Sequence, residues 1–249
     1  MARVDYDELA AAYDAARTLP PDAIGAWRET LAAWLPPPSG LPLLDLGAGT
    51  GRFASALAGW FGMRVVAVEP SAGMREQALR AGPHPAVALV GGEASRLPLR
   101  DGGCGAAWLS TVVHHLPDLA GAAAELRRVL APGGRVLIRG AFPGRHQHVT
   151  LFRFFPGAGS VAETFPTVGE VTAAFARAGF AVELLRSVPQ VSAPDLGTFL
   201  AHVRLRADST LRPLPDEEFA EGLRALEAAA AGPAGQAPVV DRLDLLVLG

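Results

Sequence analysis

Short, mainly apolar runs alternate along this chain with segments that are typical of helices. Short apolar runs that end at glycine, proline or polar residues predict buried strands. We predict seven of them, at 41–46, 64–68, 86–90, 106–111, 135–138, 180–185 and 239–248. The predicted helices are 5–18, 22–34, 51–60, 71–82, 119–130 and 167–178. Strands that alternate with helices indicate an α/β fold, in which a parallel sheet is covered on both faces.

Proline and glycine mark the ends of two predicted helices, and two further segments fall outside the alternation. The prolines at 36–38 end the second helix, and the Pro-Gly-Gly run at 132–134 ends the helix 119–130. The segment 141–164 is rich in Phe, Pro, Gly and His, and we predict two helices within 195–232. Both segments are candidate additions on the substrate side, and packing on the surface is the alternative.

The composition excludes several kinds of chemistry. Half of the 249 residues are apolar, and the formal net charge is −3 without any basic run interleaved with aromatic residues, so we do not expect a nucleic-acid partner. The sequence contains no lysine, which excludes Schiff-base catalysis, a lysine base and the phosphate site of a P-loop. Cys104 is the single cysteine and no paired metal-ligand spacing is present, so no metal site is predicted.

Neither the N-terminus nor the rest of the sequence suggests export or a membrane. The first residues are acidic and polar, without the basic flank and apolar run of a signal peptide. No uninterrupted stretch of about 18 apolar residues predicts a membrane span. We therefore expect a soluble, cytoplasmic protein with no membrane partner.

The first predicted strand runs directly into a glycine-rich turn with glycines at Gly47, Gly49 and Gly51. Glycine lacks a Cβ and tolerates positive φ, so the backbone of such a turn approaches a ligand closely, and the following helix offers free N–H groups at its start. This arrangement suits a nucleotide-like ligand at the carboxyl edge of the sheet. The dinucleotide fingerprint requires a glycine where this chain has Arg52, so a pyrophosphate is not the favoured ligand.

Three acidic residues lie near the ends of the first three strands. Glu69 closes the second strand, where a carboxylate accepts hydrogen bonds from both hydroxyls of a ribose. Glu93 follows the third strand, where it is placed to accept from an adenine amino group. An exposed loop acid is the alternative for both. Asp45 precedes the first glycine by two residues and either holds the turn together or faces a ligand ammonium.

Five motifs, in order, resemble those of class I S-adenosylmethionine-dependent methyltransferases, in the broad group of ubiquinone-type and natural-product enzymes. They are LLDLGAGTGRF at 43–53, VVAVEPSAGM at 65–74, GGEASRLPL at 91–99, STVVHHLPD at 110–118 and ELRRVLAPGGRVLI at 125–138. The resemblance covers about residues 5–190. It implies a Rossmann-like sheet of seven strands, mostly parallel and with the last strand antiparallel, and S-adenosylmethionine as the cofactor.

The resemblance also implies which residues bind that cofactor. The three glycines of the turn would shape the methionine pocket, Met74 would pack on adenine, and Glu93 with the amide of Ala94 would read the adenine edge. Ser110 would offer its backbone to the methionine amine. The full implied set is Tyr13, Arg17, Asp45, Gly47, Ala48, Gly49, Gly51, Glu69, Pro70, Met74, Glu93, Ala94 and Ser110.

The N-terminal pattern Tyr6-x6-Tyr13-Asp14-x2-Arg17 is similar to the lid helix of this group. There Tyr13 and Arg17 would approach the methionine carboxylate, which suits an arginine fork, and an ordinary amphipathic helix is the alternative. We accordingly predict a single domain over 1–249. Its parts would be lid helices at 1–38, a cofactor-binding half at 41–140 and a substrate-side half at 141–249.

A small molecule is the favoured acceptor. The chain lacks, at the end of the fourth strand, the Asn/Asp-Pro-Pro-aromatic motif of enzymes that methylate nucleic-acid bases or protein amides. Methyl transfer from a sulfonium depends mainly on orientation. A base helps if the acceptor is a hydroxyl or a carbon acid. The resemblance to natural-product enzymes makes secondary metabolism one setting for the reaction.

Histidines and phenylalanines after the fourth and fifth strands are the candidates for the acceptor side. His115 and His114 are the candidate bases, with local packing as the alternative. His146 and His148 are second candidates, and a solvated loop is their alternative. An apolar acceptor pocket would be lined by the phenylalanines Phe152, Phe154 and Phe155, for which core packing is equally open.

Two other functions stay open at this point. A protein of this fold that binds the cofactor without transferring methyl, as a cyclase or a regulatory binder, would keep the same glycine and acidic motifs. A nicotinamide oxidoreductase is disfavoured by the spacing of the glycines. The acceptor, the atom that is methylated and the oligomeric state do not follow from the sequence.

Overall fold

The computed structural model describes residues 21–35 and 40–249 of this protein. Its strands are β1 (Leu43–Leu46), β2 (Val65–Val68), β3 (Val87–Val90), β4 (Cys104–Ser110), β5 (Leu130–Gly140), β6 (Val182–Ala193) and β7 (Val239–Leu248). In the described residues they form a seven-stranded sheet in the order β3-β2-β1-β4-β5-β7-β6. β1 to β5 pair in parallel, whereas β7 runs antiparallel to β5. The predicted α/β fold with an antiparallel last strand is therefore confirmed.

The helices connect these strands. They are α1 (Pro21–Ala32), α2 (Arg52–Phe61), α3 (Ala72–Arg80), α4 (Leu119–Val129), α5 (Thr150–Phe154), α6 (Pro156–Ala162), α7 (Val168–Arg177), α8 (Leu196–Arg204) and α9 (Asp216–Ala231), with short 3-10 helices at Val113–His115 and Pro233–Gln236. Side-chain caps explain several of their starts: the Ser71 hydroxyl accepts the N–H of Met74, and the Asp118 carboxylate accepts the N–H of Gly121. The two helices predicted within 195–232 are confirmed as α8 and α9.

Two strand boundaries differ from the prediction by more than two residues. The fifth strand begins at Leu130 rather than 135, because Leu130 pairs with Cys104 and a register shift absorbs the Pro-Gly-Gly run at 132–134. The sixth strand continues to Ala193 rather than ending at 185. It contains Pro189, which an edge strand tolerates because its outer N–H groups have no partner strand. The predicted helix 5–18 lies outside the described residues.

The chain folds into two compact units. The glycine-turn unit contains, among the described residues, 28–35, 40–140, Pro166–Ser187 and Asp244–Gly249. The insert unit contains 21–27, Ala141–Phe165 and Val188–Leu243. The boundary after Gly140 coincides with the start of the predicted substrate-side half. The assignment of the whole chain to a single domain stays a prediction.

Candidate functional site

The glycine turn follows β1, whose four residues are all buried in the middle of the sheet. Gly47, Gly49 and Gly51 have φ values of 70°, 56° and 76°, a region that favours glycine. The N–H groups of Gly47 and Ala48 both donate to Val68 O, at 2.8 and 3.2 Å. The turn therefore lies against the end of β2 and leads directly into α2.

Two glycines of this turn have different surroundings. A Cβ at Gly47 would lie 2.3 Å from Val112 Cγ2, so only glycine lets the segment after β4 pack on the turn. A Cβ at Gly49 would meet nothing within 4 Å. The first glycine thus serves packing, and the second faces space that a ligand can enter.

Gly47→Ala is expected to destabilise the protein more than Gly49→Ala. Alanine at either position must adopt positive φ, which costs about 1–2 kcal/mol. Only the Gly47 variant also overlaps Val112, and overpacking of this kind adds about 1–3 kcal/mol. Urea unfolding of the two variants measures the difference in the free energy of unfolding. Equal values would contradict the contact between Gly47 and Val112.

Glu69 joins the end of β2 to the glycine turn. Its Oε2 accepts the N–H of Gly49 at 2.9 Å, and its Oε1 accepts the N–H of Ser71 at 3.0 Å. The residue is 7% exposed. A carboxylate is an acceptor only, and these two bonds connect the end of β2 with the middle of the glycine turn. Glu69 therefore holds the turn beside the open space over Gly49.

Asp45 lies beneath the turn as a buried acid on β1, with 1% of its surface exposed. Burial, followed by the negative charge of Glu69, raises the pKa of Asp45 to about 7, although the N–H of Ala54 lowers it by hydrogen bonding. Within the described residues, its Oδ2 is buried without a hydrogen-bond partner. A buried carboxyl oxygen of this kind favours either a proton or a nearby cation.

The remaining cofactor candidates surround the ends of β2 and β3. Pro70 and Glu93 are exposed, Ala94 is partly buried, and Met74 is 2% exposed. Glu93 forms an isolated bridge with Arg96, which folds this loop back on itself. The side chain of Met74 therefore belongs to the core of the glycine-turn unit in this structure, and its predicted contact with adenine stays a prediction.

The candidate bases lie just after β4. His114 is partly buried and His115 is exposed, and their ring centroids are 4.0 Å apart. At the strand end, the Thr111 hydroxyl donates to Ser110 O at 2.8 Å, which is the carbonyl expected to serve the methionine amine. Thr111 has a φ of 52°, which is strained for a β-branched residue. Backbone strain of this kind is common at functional sites, so it supports a functional role for the turn after β4.

In the insert unit, His146 has surroundings that the sequence did not predict. Its Nε2 lies 2.9 Å from Glu163 Oε1, and its ring meets the Phe152 ring edge-on at 4.9 Å between centroids. Its side chain is 11% exposed. His148 is exposed, and its carbonyl accepts the N–H of Arg242. His146 is therefore not a solvated loop residue, whereas the side chain of His148 is open to solvent.

The other acceptor-side candidates include the phenylalanines Phe152 and Phe155, which differ in burial. Phe155 has no exposed surface, and Gly222 of α9 packs so closely that a Cβ there would lie 2.3 Å from the Phe155 ring. Phe155 thus lies in the core of the insert unit, the alternative that the sequence left open, while Phe152 is partly buried. Two of the cofactor candidates, Tyr13 and Arg17, lie outside the described residues.

A buried arginine that was not among the predicted site residues lies beside the end of β4. Arg139 on β5 is 5% exposed, and its Nη1 donates to Ser110 Oγ at 3.1 Å. Its Cζ lies 5.3 Å from the centroid of the Phe53 ring. The signal in the sequence was a charged residue inside an apolar strand. Arginine is rarely buried without a specific contact.

The part of the chain that carries these motifs matches a known family. Residues 44–138 match the family described as a methyltransferase domain. The match confirms the resemblance to class I S-adenosylmethionine-dependent methyltransferases for this segment. It includes the glycine turn, Glu69, Glu93 and both candidate bases, but not the insert unit.

Individual proteins give the same picture. The chain is 34% identical over 134 residues to a demethylmenaquinone methyltransferase of Corynebacterium kroppenstedtii. The matched region covers 53% of this chain and 56% of that protein. The matched region thus spans about half the length of this relative.

Solved structures resemble the chain over nearly its whole length. One is described as a methyltransferase from an antibiotic biosynthesis pathway of Anabaena variabilis, with a TM-score of 0.67, 23% identity and coverage of 92% of this chain and 98% of that one. Another is the [4+2]-cyclase SpnF, with a TM-score of 0.65, 16% identity and coverage of 98% and 93%. Likeness at this level of identity establishes the Rossmann-like methyltransferase fold.

The described residues contain neither a cluster of metal ligands nor a membrane-spanning helix. No group of three or more His, Cys, Asp or Glu residues there is arranged to hold a metal ion. None of the helices in the same part of the chain is long and apolar enough to cross a membrane.

Proposed function

We propose that this protein transfers a methyl group from S-adenosylmethionine to a small-molecule acceptor. The observation that carries the proposal is the glycine turn with Glu69 against it, inside the segment that matches the methyltransferase domain. The proposal includes no nucleic-acid or membrane partner, and secondary metabolism is its proposed setting.

The residues present fit this cofactor. The open space over Gly49 admits a ligand, and the Glu69 carboxylate beside it suits ribose hydroxyls. The buried Oδ2 of Asp45 suits the positive charge of a methionine ammonium. Glu93 is exposed on the neighbouring loop, and we assign it to the adenine amino group.

The chain's own residues then have separate tasks. When bound, S-adenosylmethionine supplies an electrophilic methyl group on a sulfonium. The protein holds donor and acceptor in line and excludes water, which accounts for most of the rate in such displacements. His115 or His114 accepts the proton if the acceptor is a hydroxyl or a carbon acid. His146, His148 and Phe152 are the proposed acceptor-side residues, whereas Phe155 has no exposed surface and supports them from the core of the insert unit.

The proposal is tested first by binding. Isothermal titration with S-adenosylhomocysteine, the demethylated product of the cofactor, is expected to give a dissociation constant in the micromolar range. Titration with NAD is expected to give no binding, because the turn lacks the third glycine of the dinucleotide fingerprint. Tight binding of NAD, or no binding of S-adenosylhomocysteine, would overturn the choice of cofactor.

The second test is turnover with radiolabelled S-adenosylmethionine and a panel of phenols, carbon acids and amines. With an oxygen or carbon acceptor, replacing the catalytic histidine by alanine in His115→Ala or His114→Ala is expected to lower turnover roughly tenfold or more. The affinity for S-adenosylhomocysteine should stay nearly unchanged. Full activity of both variants with such an acceptor would show that neither histidine is the base.

The same assay addresses the alternative function. The fold also serves a [4+2]-cyclase, and a fold alone does not specify a reaction. Binding of S-adenosylhomocysteine without transfer to any acceptor in the panel would favour a cofactor-binding cyclase or regulator.

A further inference from the structure

Arg75 lies between the two loops to which the ribose and adenine contacts are assigned. It belongs to the first turn of α3, directly after the buried Met74. Its Nη1 donates to Glu69 O at 2.7 Å and to Pro70 O at 2.8 Å. The guanidinium is therefore fixed to the end of β2 by two hydrogen bonds to backbone carbonyls.

The same guanidinium lies flat against the end of β3. A Cβ built on Gly91 would be 3.2 Å from Arg75 Cζ and 3.4 Å from each Nη. Because this point is closer to Cζ than to either nitrogen, it lies over the face of the guanidinium and not at its edge. Glycine at position 91 thus lets one face of Arg75 stack on the backbone that leads to Glu93.

The opposite face of the Arg75 guanidinium is where a ligand would stack. Within 21–35 and 40–249, no carboxylate forms an ion pair with Arg75 and no aromatic ring stacks on it. The residue is only partly buried. A guanidinium held in one plane loses little further freedom on binding, and it stacks on aromatic rings in a way that an ammonium does not.

We propose that Arg75 is a platform for the adenine ring of the cofactor. One face of its guanidinium packs on Gly91, the other stacks on the purine, and the two bonds to the end of β2 keep Glu69 and the Glu93 loop at a fixed spacing. This role rests on the proposed function, since it requires a cofactor that contains adenosine. Met74, which the resemblance implies as an adenine contact, is 2% exposed in this structure.

The test compares Arg75→Ala and Arg75→Lys with Arg80→Ala. Arg80 is a matched control on the same helix, because its side chain is exposed and, among the described residues, bonds only to Glu76. The probes for isothermal titration are S-adenosylhomocysteine and 5′-methylthioadenosine, which share the adenosine. Both Arg75 variants are expected to bind both probes about tenfold more weakly, the usual scale for loss of stacking on a base. Arg80→Ala should bind like the wild type.

Gly91→Ala gives an independent measurement, because the added Cβ displaces the guanidinium without removing it. Because the guanidinium must move by only a few tenths of an ångström, Gly91→Ala is expected to weaken the binding of both probes, but less than Arg75→Ala does. Thermal unfolding without ligand is recorded for each variant. Arg75→Lys keeps the charge and the hydrogen-bond donors, so it measures the loss of the planar face even if Arg75→Ala folds poorly.

Each other outcome is decisive. Wild-type affinity in Arg75→Ala, or full affinity in Arg75→Lys, would overturn the stacking role and leave the cofactor assignment intact. A loss confined to S-adenosylhomocysteine would place Arg75 at the methionine end and also overturn it. If the wild type binds neither probe, the proposed function and the role of Arg75 fail together.

Discussion

Replacing Asp45 with asparagine is expected to remove a loss of stability that the wild-type protein undergoes as the pH rises from about 4 to 7. The pKa of Asp45 is about 7 in the folded protein and 3.8 in an unconstrained chain. Between these values the folded state holds a proton that the unfolded state has released, so raising the pH favours unfolding. A difference of about three pKa units corresponds to about 4 kcal/mol.

Urea unfolding of wild type and Asp45→Asn at pH 4.5 and pH 8 measures this effect. The wild type should lose several kcal/mol of unfolding free energy from pH 4.5 to pH 8. Asp45→Asn should not share this loss, because asparagine carries no charge. Glu69→Gln is the second variant. The charge of Glu69 is the second cause of the raised pKa of Asp45, and burial is the first. Removing that charge should therefore lower the pKa of Asp45 in the folded state and narrow the pH range over which stability is lost, without abolishing the loss. A constant difference at both pH values would contradict the buried charge.

Ligand binding then separates the two roles left open for Asp45. If its carboxylate faces the methionine ammonium, the bound state requires the ionised acid. The affinity for S-adenosylhomocysteine should therefore rise with pH towards about 7 in the wild type and lose this dependence in Asp45→Asn. 5′-Methylthioadenosine lacks the ammonium and should show no such rise. Identical pH profiles for both ligands would leave Asp45 with the structural role of holding the turn.

Glu69→Ala is expected to weaken the binding of S-adenosylhomocysteine by about 1–3 kcal/mol, the range for hydrogen bonds to a charged group. The variant loses the acceptor assigned to the ribose as well as the bonds to Gly49 and Ser71. Glu76→Ala is the matched control, because Glu76 is an exposed acid of α3 that pairs with Arg80. It should bind like the wild type in the same titration.

A ligand without ribose hydroxyls distinguishes direct contact from support of the turn. The 2′,3′-dideoxy form of S-adenosylhomocysteine should bind wild type weakly and lose nothing further in Glu69→Ala, because the contact is already absent. An additional loss as large as that for the natural ligand would assign Glu69 to the turn alone. Unchanged affinity of Glu69→Ala for S-adenosylhomocysteine would remove it from the site.

Local sequence predicted the sheet and its glycine turn well. β1, β2 and β4 are apolar runs buried in the sheet, and the turn and Glu69 each lie within a few residues of a strand end. The predicted start of β5 was wrong because Pro-Gly-Gly normally ends an element, and the predicted end of β6 was wrong because the apolar run stops at Leu185, before Arg186 and Ser187. The true boundaries depend on strand pairing and on the position of β6 at the edge, which only the assembled sheet determines.

Contacts between segments distant in sequence could not be predicted in the same way. The face of Arg75 meets Gly91 from sixteen positions away, and His146 meets Glu163 from seventeen. Gly91 belongs to the motif at 91–99, but nothing in that motif indicates Arg75 as its partner, and Glu163 lies in no motif. Both contacts depend on how two loops, or a loop and a helix, come together. The strained φ of Thr111 leaves no trace in the sequence either.

Pro189 on β6 has a consequence for contacts between molecules. β6 is an edge strand of the described sheet, and an open edge is a template on which a strand from another molecule can pair, the first step in aggregation. Proline has no N–H to donate, and the exposed charges of Glu183 and Arg186 lie on the same strand. The opposite edge, β3, offers only four residues. Both edges thus carry features that natural sheets use against runaway strand addition.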